Sequence, residues 1–110
     1  MQPMLKRLEK LRDGIESAYA QMKIDAKARQ ASILEAELAA PEVWNDPRHA
    51  QEISKQLAGL QAIVEPWQTL RAQAADIDEL MALGDESLLP EFDGQVQALE
   101  NDLQERKKEL

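Results

Sequence analysis

Apolar residues return at alternating steps of three and four along most of this 110-residue chain. That spacing follows the 3.6-residue turn of an α-helix, whereas a strand, with its period of two, would scatter the same residues over both faces. Met4, Leu8, Leu11, Ile15, Ala18 and Met22 make the first row. Ala50, Ile53, Leu57, Leu60, Val64, Trp67 and Ala74 make the second, with Arg71 in its one polar slot, and Leu70, Ile77 and Met81 continue a neighbouring stripe. Leu89, Phe92, Val96, Leu99, Leu103 and Leu110 make the third, interrupted only by Arg106. Each row is a seam of coiled-coil type and needs another helix to cover it. The expected fold is therefore all-α, an elongated antiparallel bundle of about three long helices with coiled-coil-like packing, in a single domain over 1–110. The 4% aromatic content, with only Gly 4 and Pro 5, also starves a sheet while suiting helices.

The breaks between rows follow from local chemistry. After Met22 the stripe weakens through Asp25 to Ser32, where Ala is the sole apolar type, before Ile33, Leu34 and Leu38 restore it. Asp25 either caps a fresh helix there or the helix runs on to about Ala39. Pro41 turns its predecessor away from helix, Pro47 suits a first helical position, and Asp46 before it is the expected N-cap. Pro66 falls inside the second row, where a missing N–H and crowding of the Ala62 carbonyl predict a kink or a break. Gly84 suits the left-handed position that ends a helix, after which Asp85-Glu86-Ser87 can start the last one near Leu88.

Little in the chain can carry chemistry. There is no cysteine, hence no thiolate ligand or thiol nucleophile. His49 is the only histidine, and no Glu or His stands three or four residues before it to complete a metal-binding face. Gly14, Gly59, Gly84 and Gly94 are isolated, so no phosphate loop forms. The expectation is a protein that is not an enzyme and holds no metal or cofactor. No apolar run approaches the roughly 20 residues that span a bilayer, which points to a cytoplasmic protein without membrane contact. The net charge of −8 is uneven: residues 1–29 carry seven Lys/Arg against four Asp/Glu, the remainder six against seventeen. Such an acidic body disfavours a phosphate backbone as partner. Asp76, Asp78, Glu79, Asp85, Glu86, Glu91 and Asp93 cluster around the second turn, as either a solvated turn or a contact for a basic partner surface. Trp44 and Trp67 are expected to anchor packing, Trp44 by locking the first turn against the bundle.

That first turn is also the most distinctive string in the chain. Leu34-Glu35-Ala36-Glu37-Leu38, then Pro41-Glu42-Val43-Trp44-Asn45-Asp46-Pro47, then Ala50-Gln51, resembles the N-terminal segment of the bacterial peptide chain release factor 2 family. Asp25-Ala26-Lys27, Leu60, Val64-Glu65, Leu70, Asp76 and Leu80 are similar at matching offsets, so the resemblance covers about 22–110. In the first twenty residues Glu16-Ser17-Ala18-Tyr19 stands where the family has Leu-Arg-Gly before its aromatic. The resemblance implies Pro41, Trp44, Asn45, Asp46 and Pro47 as family motif residues of structural role. It also implies a function in translation termination at UGA and UAA stop codons, with the ribosome as partner and a contact at the base of its stalk. The family reads codons with Ser-Pro-Phe and hydrolyses peptidyl-tRNA with Gly-Gly-Gln; neither string occurs here, and the chain stops where that core would begin. By the same residues, two rival expectations stand: a freestanding coiled-coil adaptor or oligomerisation module, and an RNA-binding helical arm, which the charge disfavours.

Overall fold

The computed structural model describes residues 2–109, of which 93% are helical, with no strand among them. Four α-helices carry the chain: α1 (Gln2–Met22), α2 (Ile24–Ala39), α3 (Pro47–Ala82) and α4 (Leu89–Lys107), with 3-10 turns at Pro41–Asn45 and Glu86–Leu88. The first seam is thus two helices where about three were expected in all. The break falls at Lys23, which adopts a left-handed conformation (φ 56) and gives its carbonyl to the Lys27 amide. Asp25 lies in the first turn of α2, not at the cap, where its charge still favours the positive end of the helix. No helix among the described residues is long and apolar enough to cross a membrane.

Two compact units divide the chain, residues 1–22 with 67–110 and residues 23–66, and their boundary cuts α3 between Pro66 and Trp67. The helix itself is unbroken across Pro66. Its buried stripe nevertheless changes phase there. Ala50, Ile53 and Val64 are buried before it, and Trp67, Leu70, Ala74, Ile77 and Met81 after it, so two steps of three meet at Trp67 and the row skips one residue. Arg71, expected in the seam, is instead exposed beside it.

The larger unit is a three-helix bundle. Ion pairs run from Arg12 to Asp78 and from Glu16 to Arg71, so α1 lies antiparallel to the second half of α3. Arg7 meets Asp93, Gln97 and Glu100 while Gly14 faces Leu103, so α1 lies parallel to α4, as an up-down-up path requires. The core between them holds Leu8, Leu11, Ile15, Ala18 and Tyr19 of α1, the five residues of α3 from Trp67 on, and Phe92, Val96, Leu99 and Leu103 of α4. Leu110 of the third expected row lies outside the described residues. Gly14 lets the helices close up here: a Cβ on it would stand 3.0 Å from Leu103 Cδ2. Gly84 ends α3 with φ +75, and Asp85 caps the next turn by accepting from the Ser87 amide (3.0 Å) and hydroxyl (2.6 Å). Those bonds, the hydroxyl's first, hold the Asp85 carboxyl below the usual carboxylate range.

The smaller unit is an antiparallel hairpin of α2 and the first part of α3. Glu35 and Gln61 bond across it (3.0 Å), and its buried residues are Ile24, Ala31, Leu34, Ala50, Ile53 and Val64. At its corner the Asp46 carboxylate accepts the His49 amide (3.3 Å) and its carbonyl the Ala50 amide, opening α3 behind Pro47.

Trp44 corrects an expectation. It does not fill the corner of a bundle: 55% of it is exposed. The five-residue 3-10 turn leaves the indole at the edge of the hairpin, and its Nε1 donates to the Leu38 carbonyl at 2.9 Å. That carbonyl sits in the last turn of α2, where helix acceptors lack an intrahelical donor. Trp44 is therefore a C-terminal cap, not a core anchor; Trp67, 3% exposed, is the buried one.

Candidate partner-binding surface

A binding surface on helices is built from what the seams leave over, and here the charges sort into two sets. The first is consumed within the larger unit. Arg7 takes Glu100 and Asp93, which raise its pKa in that order, and Arg71 forks onto Glu16 at 2.8 and 3.0 Å while lying 4.4 Å over the Tyr19 ring. Asp78 is taken by Arg12, and Asp85 by its own turn. The second set is unspent: Asp76, Glu79, Glu86 and Glu91 have no ion-pair partner among the described residues. The acidic stretch read from the sequence thus splits into structural and free carboxylates.

Beside the free set lies an apolar groove of about 340 Å³ between α3 and α4. Ile77 and Leu99, nearly buried, form its floor; Leu80, 43% exposed, and Ala98 form its walls; Gln73 and Gln95 close its sides, with Asp76 on the rim. A second cleft, lined by Leu5, Glu9, Arg12, Asp13, Glu16 and Asp78, is polar. Two of its carboxylates, Asp78 and Glu16, are already committed to arginines, and it holds no nucleophile beside a base.

The residues singled out in the sequence do not converge on one site. Pro41, Trp44, Asn45, Asp46 and Pro47 sit together at the corner of the smaller unit, all exposed, with bonds only to backbone groups from Trp44 and Asp46. Asn45 has no side-chain hydrogen bond among the described residues. His49 is exposed in the first turn of α3, and no group of ligating side chains among the described residues could hold a metal ion. Leu80 and Leu83 were missed as a surface feature because a search for seams looks only for the buried row. The signal was available: Gln73, Asp76, Leu80 and Leu83 form their own 3/4 stripe beside it.

These features define a helical module that presents surfaces and caps, with no assembled reaction centre among its described residues. The chain belongs to the PCRF domain family, whose pattern matches residues 27–110. It is 38% identical over 109 residues to peptide chain release factor 2 of Thermomicrobium roseum, an alignment covering 99% of this chain and 29% of that protein. It is 32% identical to peptide chain release factor 2 of Tolumonas auensis (92% and 29%) and 36% identical to that of Saccharopolyspora erythraea (91% and 28%). The chain spans less than a third of the length of these relatives.

Proposed function

We propose that this chain acts in translation termination as a non-catalytic helical domain of a peptide chain release factor for UGA and UAA codons. In this reading residues 1–110 work as one functional module in the cytoplasm, adding a ribosome contact at the base of the stalk. Codon reading and ester hydrolysis belong to a separate core. The observation that carries the reading is the match of the PCRF family to 27–110, together with relatives named peptide chain release factor 2. Pro41, Trp44, Asn45, Asp46 and Pro47 then serve as the fixed corner of the hairpin, not as ligands. A small interface holds weakly by itself, so the module gains its effect by being tethered to the core.

The test joins this chain to a release factor 2 core that lacks the corresponding segment, and compares that fusion with the same two pieces mixed. The fusion should bind stop-codon ribosomes far more tightly than core plus free chain, and the free chain should release no peptide. Equal affinity for fused and mixed pieces, or release by the chain alone above buffer, overturns the reading.

A further inference from the structure

The groove between α3 and α4 remains after every seam and ion pair has been accounted for. Its floor and walls are apolar, and leaving Leu80 at 43% and Leu83 at 77% exposure on one stripe keeps hydrophobic surface in water with no internal benefit. Two carboxylates without an ion-pair partner among the described residues flank it: Asp76 lines the α3 side, and Glu91 stands one turn before Gln95 on α4. The one cation on these stripes, Arg106, lies 3.0 Å from Asp102 and is spent on it. From Gln73 to Leu80 the α3 wall of the groove runs seven residues, about 10 Å, which is two turns of a helix.

We propose that this groove is the docking site for a basic amphipathic helix of a protein partner. Apolar anchors at i, i+3 or i+4, and i+7 span the distance from Gln73 to Leu80, and Lys or Arg flanking them meets Asp76 and Glu91. The charge selects against the other occupants. A phosphate backbone is repelled by the rim, and a second copy of this chain, at −8, brings mostly its own acids. The inference goes beyond the proposed function, since it needs no ribosome and can fail while the tethering result stands.

The probe is an 18-residue helical peptide of Leu at 3/4 spacing with Lys elsewhere, and its control replaces every Lys by Glu. Both are titrated into the isotope-labelled chain while backbone amide shifts are followed. The Leu/Lys peptide should move the amides of residues 73–83 and 91–102 and leave 26–66 unmoved. Leu80→Gln and Asp76→Lys should each weaken it about tenfold, the scale of losing one interface anchor. Ile33→Gln, which trims an apolar residue 53% exposed in the smaller unit, should leave affinity within about twofold. All three positions are on the surface, so circular dichroism should show an unchanged fold. Shifts spread over the acidic surface, equal binding of the Leu/Glu peptide, no effect of Leu80→Gln, or displacement by a short RNA duplex each overturns the proposal. So does concentration-dependent dimerisation that Leu80→Gln abolishes.

Discussion

The two halves of α3 run in one helix but live by different means. Beyond Pro66 its buried stripe faces two other helices, and Trp67, Leu70, Ala74, Ile77 and Met81 sit in a core closed by α1 and α4. Before Pro66 it packs within its own unit on α2, and that unit's buried set is Ile24, Ala31, Leu34, Ala50, Ile53 and Val64, two of them alanines. A hairpin can bury only one stripe per helix, so Leu57 and Leu60 stay partly open and Ile33 and Ile63 stay exposed. The ion pairs of Arg7 with Asp93 and Glu100, of Arg12 with Asp78 and of Glu16 with Arg71 tie helices together within the larger unit. The same heptad-like pattern thus yields a robust bundle in one place and a marginal hairpin in the other, and the number of available partners decides which.

The comparison can be broken first in the core. Phe92→Ala, at a side chain 2% exposed among three helices, should cost about 4 kcal/mol, while Leu34→Ala in the hairpin should cost about 2 kcal/mol because a two-helix site collapses more easily around the gap. Urea melts followed by circular dichroism check both, and a larger loss for Leu34→Ala would invert the ranking. Trp44→Ala should cost about 1 kcal/mol, the worth of one capping bond with little packing, and Trp44→Phe nearly as much because it loses the same Nε1 donor. A loss near 3 kcal/mol in the same melts would restore Trp44 as a core anchor. The finest contrast lies in the glycines. Gly59→Ala has open space around the new methyl and should stabilise the hairpin by about 0.7 kcal/mol, whereas Gly14→Ala must push Leu103 aside and should lose that gain.

The all-α fold and both turns were legible in the sequence because helical period, proline and glycine act locally. Gly84 and Asp46 take the conformations their residue types favour. The break at Lys23 was only half legible. A lysine in a left-handed conformation has no sequence signature, and weak periodicity from Asp25 to Ser32 could not say whether the helix paused or stopped. The slip at Trp67 was written in the spacing, as Leu70 set against Arg71, but choosing between them requires knowing which helices cover that face. Trp44 was misjudged because the size of an aromatic foretells packing only where there is something to pack against. The groove went unseen for a related reason: Leu80 matters through Ala98 and Leu99, eighteen and nineteen residues away, and that proximity appears only when α4 folds back.

Native-state hydrogen exchange resolved by residue tests the contrast between the two units most directly. Amides of 68–81 in α3 and 92–103 in α4 should exchange slowest and share one opening free energy, while those of 26–39 and 50–64 should exchange at least about tenfold faster, a gap of 1.4 kcal/mol or more. Equal protection on both sides of Pro66 would mean that α3 and its partners open as a single cooperative unit, and the division into a robust bundle and a marginal hairpin would be wrong.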